Sequence, residues 1–587
     1  MDEVGKQVNN PNCLVSTLSK LRESSKDAVV SADFSDAYTM YMHVDRPVQE
    51  EFVSILKKTY APPNAQLILL CGSVGDGKSH MLSYCREVYP DMMKKFYVHN
   101  DSTASLYIDK PASFTLNELM EDFTDDKISS SSKKVILAIN LGTLSNFIEE
   151  DVDNRFQRLK AYVDRAGILD AHAGTDADDA NFHCVNFADY HLFELTKNGP
   201  ESAYIQGILS RITASDNNNV FYTAYCGCCQ NCENGNRCPV KMNYEMLGKK
   251  EIQAGIIRVL VETIIKNKLI LSTRALLNFI YEILVDERCF DRGSLEPQKE
   301  PGKMSSVQYC EGLLPNMLFG RHESSGVLNA VGSVDPMKIR NEAIDDFFVY
   351  YENSSDILGI FKSDLEEYST VLKRLESINF GDNSTHSVRE SILRLFVRLC
   401  WLTQRRQDLL SDDVDYLDYM VALFNWNNAD YKNLKDVYNI VEKGVLAWNG
   451  PVEKNEMRLP INDKKTNYHL VQEIQVKALP DSSDGEKKDV LYSFRDELKL
   501  RYRYGDSSVA ELDVDFSLYA LLKRVIHGYI PSLNDKRVNV KCMEFIKKIS
   551  GGGKKLESLI IRDLSHKDAV EYVLEYSDSF GYSFEVK

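Results

Sequence analysis

The chain has 587 residues, 43% hydrophobic and 27% charged, the balance of a soluble globular protein of about three to four domains. Its 70 basic and 87 acidic residues leave a net charge of −17. That excludes coating of DNA or an anionic membrane by bulk charge, since phosphate binding rests on clustered Lys and Arg. Residues 1–13 lack the cationic start and apolar run of a secretory signal, and no stretch approaches the ~18 uncharged apolar residues of a membrane span. A soluble cytoplasmic protein with no membrane contact is expected.

Residues 1–64 read as a helical lead-in, with EEFVSILKKTY (50–60) at helical period before Pro62-Pro63 stops it. QLILLC (66–71) has the length and composition of a buried parallel strand. A glycine-rich turn follows, then a helix over 79–89 that ends before Pro90. Strands are expected at 94–101, 133–141 and 182–190, with helices at 115–123 and within 147–167. Strands alternating with helices predict an α/β layer with a parallel sheet, assigned to residues 65–250. Amphipathic helices at 251–270 and 272–288 form a helical lid (251–290). A helical domain spans 305–450. The remainder, 451–587, is expected to be a small α+β domain, because 496–505 and 575–587 alternate polar with apolar or aromatic residues.

Gly72-Ser73-Val74-Gly75-Asp76-Gly77-Lys78-Ser79 fits G-x-x-x-x-G-K-[ST] between a strand and a helix. Glycines let the backbone curl so that its N–H groups face phosphate oxygens at a helix N-terminus. Lys78 would reach the β- and γ-phosphates and the Ser79 hydroxyl would ligate Mg²⁺. ATP with Mg²⁺ is therefore the expected ligand of residues 72–79. The glycine run SGGGKK (550–555) lacks this spacing and reads as a loop. Such ATPases usually end a neighbouring strand with an Asp that holds Mg²⁺, and no such apolar run ending in Asp-Glu occurs here. Asn140 resembles the residue that positions the attacking water in AAA+-like ATPases. Asp101 and Asp189 are the candidate acids, each with the alternative of a strand-end cap. Arg274 resembles the lid-helix arginine that contacts the γ-phosphate in AAA+-like proteins. Arg340 would act in trans only if the chain forms a homo-oligomer.

Five of 13 cysteines fall between Cys226 and Cys238. Cys226-x2-Cys229-x2-Cys232-x5-Cys238 supplies four thiolates for a closed, structural Zn²⁺ knuckle, with Cys228 spare. An iron–sulfur cluster is the alternative, although its usual last gap is three residues. No nuclease constellation is present, and the basic–aromatic stretch LKLRYRYG (498–505) is either a solvated sheet face or a DNA contact.

The phosphate loop GSVGDGKSHML, the strand VILAINLGTLSNF, the run CxxCxxC…NGNRCPV, the helix SxRxLLNFIYEIL and VDPMKIRNEAID (334–345) come in one order. Together they resemble the DptF (DndF) family of DNA phosphorothioation-dependent restriction proteins over roughly residues 40–345. The resemblance implies an ATP-driven subunit of a bacterial defence complex that works with partners resembling DptG and DptH, and meets DNA through that complex. The expected architecture is a P-loop NTPase (AAA+-like) core with an inserted zinc knuckle, helical lid and middle region, and a small α+β C-terminal domain. Without a strand-end acid, a nucleotide-binding scaffold that does not hydrolyse is the competing expectation.

Overall fold

Four short apolar runs build the central layer: β1 (Gln66–Cys71), β2 (Tyr97–His99), β3 (Lys134–Ile139) and β4 (Phe182–Asn186). They pair in the order β2-β3-β1-β4, and every pairing is parallel, with Cys71 beside both Ile139 and Asn186. Parallel neighbours need long crossovers, and helices supply them. Successive strand side chains point to opposite faces, so β1 serves two cores. Leu67, Leu69 and Cys71 join Val135 and Leu137 in one, and Ile68 and Leu70 join Ile136 and Val185 in the other.

After a first short helix, α1 (Leu14–Leu18), the second of these cores is covered by α2 (Pro47–Thr59) and α3 (Lys78–Val88) through Phe52, Leu56 and Leu82. The first core is covered by α4 (Ala112–Met120), α5 (Leu141–Glu149) and α6 (Gln157–Arg165) through Met120, Leu144 and Tyr162. Each such buried side chain contributes about 1.5–3 kcal/mol, and a strand covered on both faces explains why these runs carry no alternation. The short strands β5 (Tyr190–Thr196) and β6 (Gly199–Glu201) follow β4.

Beyond them the chain turns helical, through α7 (Pro239–Leu247), α8 (Lys250–Asn267) and α9 (Thr273–Leu284) to a 17-residue helix at His386–Leu402. There the buried Arg398 guanidinium grips Asp335 with two hydrogen bonds of 3.1 and 2.6 Å and Asn316 with a third of 3.0 Å. Asp335 in the 334–345 motif is thus part of a helix-to-turn tie. Arg340 is folded onto its own backbone, donating to the carbonyls of Met337 and Ile339 at 3.1 Å each.

The structure is a computed structural model that describes residues 13–22, 37–100, 112–151, 153–169, 178–230, 232, 238–286, 304–380, 385–453, 455–460, 467–480, 487–505, 507–551, 558–565, 570–577 and 579–586. These divide into two units, one of residues 1–194 and 200–411, the other of residues 195–199 and 412–587. The second unit is mixed. β7 (Glu456–Leu459) and β8 (Tyr468–Glu473) belong to an antiparallel five-stranded sheet with β13 (Ser558–Asp563), β14 (Val570–Ser577) and β15 (Gly581–Val586). β9 (Val476–Ala478), β11 (Leu498–Tyr504) and β12 (Ser508–Val514) form another sheet, with β10 (Val490–Ser493) preceding β11 in the chain. β11 carries the basic–aromatic stretch. Leu498, Leu500 and Tyr502 are buried, while Lys499 and Arg501 face Glu511 at 2.7 and 3.5 Å, the arrangement of an ion-paired sheet face. The chain is therefore a mixed α/β protein with a four-strand all-parallel sheet and many helices. Among the described residues, no helix is long and apolar enough to cross a membrane.

Candidate functional site

β1 ends at Cys71 and α3 begins at Lys78, so residues 72–77 form a loop at the C-terminal edge of the sheet. Gly75 and Gly77 have φ of +90° and +94°, the left-handed region that glycine enters without steric cost. Gly75 also lies so close to α9 that a Cβ there would sit 3.1 Å from the Arg274 Cβ. The Lys78 ammonium donates to the carbonyls of Gly72 and Ser73 at 2.8 and 2.6 Å, and the Asp76 carboxylate accepts from the Ser73 N–H at 2.5 Å. Burial holds the Asp76 carboxyl above its ordinary range, opposed by the nearby Lys78 charge. Val74 is exposed at the loop's outer turn.

Groups distant in sequence clamp the loop. Arg46 Nη1 donates to the Asp76 carbonyl at 2.8 Å, and its guanidinium lies over the Phe187 and Tyr204 rings. The Thr273 hydroxyl approaches the same carbonyl at 3.4 Å, and the Arg274 N–H donates to the Gly75 carbonyl at 3.2 Å. Ser272 fixes this approach by capping α9, accepting from the Ala275 N–H at 3.2 Å. Arg274 Nε is buried and has no partner among the described residues. A cleft beside the loop is lined by His43, Arg46, His80, Phe187, Tyr204 and Thr273. Within it His43 bridges His80 (3.0 Å) and Asp45 (3.2 Å). Burial and then the neighbouring His43 push His80 down to about 4, so it is neutral at physiological pH.

The parallel register brings the strand ends to this same edge. Asn140 follows β3, and its oxygen accepts from the Thr143 N–H at 2.7 Å, capping α5. Asp189 is buried in the turn after β4, where Asn186 Nδ2 donates to it at 3.2 Å. Burial, then the negative charge of Glu51, raise it to about 6. Glu51 itself accepts from the Tyr190 hydroxyl at 2.9 Å. Asp101 lies outside the described residues. The sequence reading passed over Asn100, at the end of β2. Its Nδ2 donates to the Ser79 hydroxyl at 3.0 Å, and its Oδ1 is buried without a partner among the described residues. It also passed over Arg46, which no motif marks.

At the cysteine run, Cys226 and Cys229 lie on one π-helical turn, Tyr225–Cys229. Cys229 is buried and Cys232 exposed. Cys228, spare in the sequence reading, is hydrogen-bonded to Cys13 and accepts from the Leu14 N–H at the start of α1. Cys238 is the N-cap residue of α7 and makes no side-chain hydrogen bond to the helix's first amides. Burial pushes the Cys228 and Cys238 thiols up to about 11 and Cys229 higher still. Among the described residues, no group of three or more His, Cys, Asp or Glu side chains is placed to hold a metal ion. Cys229 nevertheless lies close enough to Cys238, Cys228, Cys13 and Cys232 for their charges to act on its thiol. A contact between Cys13 and Cys228 carries no spacing signal, since over 200 residues separate them.

No protein-family model matches the chain, and no curated protein or solved structure matches it.

Proposed function

We propose that this chain is a P-loop ATPase of the AAA+-like kind, binding ATP with Mg²⁺ at residues 72–79. The observation that carries the reading is the closure of the glycine loop by α9, which leaves the Arg274 Nε buried beside Gly75 with no partner among the described residues. The loop N–H groups and Lys78 would hold the β- and γ-phosphates, and the Ser79 hydroxyl would face the cation. The cation supplies charge neutralisation at the transferring phosphoryl group. Arg274 adds a fixed positive charge from the lid helix. Asn140 keeps its oxygen on the Thr143 amide, and its Nδ2 would position the attacking water.

On the order of motifs shared with the DptF family, the proposal extends to a subunit of a DNA phosphorothioation-dependent restriction complex with partners resembling DptG and DptH. A second reading, a nucleotide clamp that does not turn over, is favoured by the amides Asn100 and Asn140 at the ends of β2 and β3. The cysteine run enters only as a structural element. Its raised thiols are protonated at neutral pH unless a cation binds them, and zinc content per chain separates those states.

The test is ATP turnover by the purified protein, alone and with duplex DNA and the two partner subunits, beside Lys78→Ala. Turnover that disappears in the variant supports the ATPase. ATP bound but never hydrolysed in any mixture supports the clamp. Absence of nucleotide binding by the wild type ends both readings.

A further inference from the structure

Asn100 occupies a position that neither its fold nor its neighbours account for. It follows β2, and the parallel register carries the end of that strand to the same edge of the sheet as the glycine loop. One end of its amide is engaged, Nδ2 donating to the Ser79 hydroxyl at 3.0 Å. The other end, Oδ1, is shielded from solvent and has no partner among the described residues. Turning the amide over would leave Nδ2 unmet instead, so one end lacks a partner in either orientation. Buried polar groups are almost always satisfied, and an ordered water or an ion is one way to meet an exception.

The chemistry of the unmet atom narrows that ligand. A carboxamide oxygen is a hard, neutral acceptor, suited to Mg²⁺ or to water held by it, and Mg²⁺ retains several waters when it binds proteins. The Ser79 oxygen, three ångströms from the same amide, can accept from Asn100 with one lone pair and face a cation with the other. We infer that Asn100 is a positioning residue for the hydrated divalent cation of the bound nucleotide, its Oδ1 accepting from a cation-bound water beside Ser79. This rests on the nucleotide reading of residues 72–79. Because the amide carries no charge, it adds no attraction for free Mg²⁺, and the cation is drawn in by the triphosphate.

The experiment titrates Mg²⁺ into the full-length protein with a fluorescent ATP analogue, EDTA setting the metal-free baseline. Wild type, Asn100→Ala, Asn100→Asp and Lys78→Ala are compared. In Asn100→Ala the half-saturating Mg²⁺ concentration should rise about fivefold, the worth of one hydrogen bond. In Asn100→Asp, which adds a charge at constant shape, it should fall. An unchanged Mg²⁺ requirement in both variants, with binding lost in Lys78→Ala, overturns the role of Asn100 and leaves the nucleotide site standing. No nucleotide binding by wild type, with or without Mg²⁺, overturns both. If Asn100→Ala fails to melt cooperatively, the isosteric Asp variant decides: an unchanged or higher Mg²⁺ requirement refutes the assignment.

Discussion

Asp189 shows how far a side chain's role depends on surroundings that the sequence does not print. As the only acid in FHCVNFADY it is a natural candidate for the metal-binding carboxylate. In place it is buried, bonded to Asn186, and raised from 3.8 to about 6 by burial and Glu51. A carboxyl whose folded value exceeds its unfolded one stabilises fully below the unfolded value and loses that contribution as pH rises through the folded one. Asp189→Asn should therefore melt at a higher temperature than wild type at pH 8, and the gap should close near pH 4. Equal gaps at the two pH values would show that burial is not what holds Asp189. The shape of the loop was legible, because Gly75 and Gly77 take the left-handed backbone that glycine enters without steric cost. Asn100, Arg46 and Cys13 were not, because each acts through a partner remote in sequence.

At the scale of elements, the apolar strands were the clearest part of the sequence. β1 spans the residues expected, and β3 and β4 lie within their predicted runs, since burial on both faces writes an unbroken apolar string. The 182–190 run ends sooner, because Asn186 bonds the Ala188 N–H and turns the chain into a short 3-10 segment. The 147–167 helical text resolves into α5 and α6, parted around Asp151, whose carboxylate caps the Phe156 N–H at 2.9 Å. Helix α9 matters most for the site, and its start rests on Ser272. Replacing an N-cap serine with alanine costs about 1 kcal/mol. Ser272→Ala should lower the melting temperature by about 1 °C, as that energy implies for a unit of this size. It should also weaken ATP binding by displacing Arg274. Unaltered nucleotide affinity together with a lowered melting temperature would show that the cap serves stability alone.

For the whole molecule, charge makes the sharpest statement. A net charge of −17 and a basic strand whose Lys499 and Arg501 are paired with Glu511 leave little to hold a phosphate backbone. The isolated protein should bind duplex DNA no tighter than about 10⁻⁶ M at physiological salt, the range of non-specific contacts. Fluorescence anisotropy with a labelled duplex measures this directly. Submicromolar binding without partners would mean that a basic surface has been overlooked. The division of the chain was harder to read, because the helices Val414–Asn427 and Lys435–Leu446 look like a continuation of the helical stretch before them. They belong instead to the unit that begins at residue 412, along with residues 195–199. Helical periodicity says which face is apolar, not which core that face joins.

The clamp on the glycine loop also sets a clock. Gly75 accepts its hydrogen bond from Arg274, 199 residues later in the chain. At a synthesis rate of about 5–20 residues per second, a growing polypeptide carries the loop for roughly 10–40 s before the helix that closes it exists. During that interval the half-built sheet presents a glycine turn held by Arg46 alone among these clamping groups. Closure of the loop is in this sense acquired late, and is a property of the finished first unit rather than of the glycine motif alone.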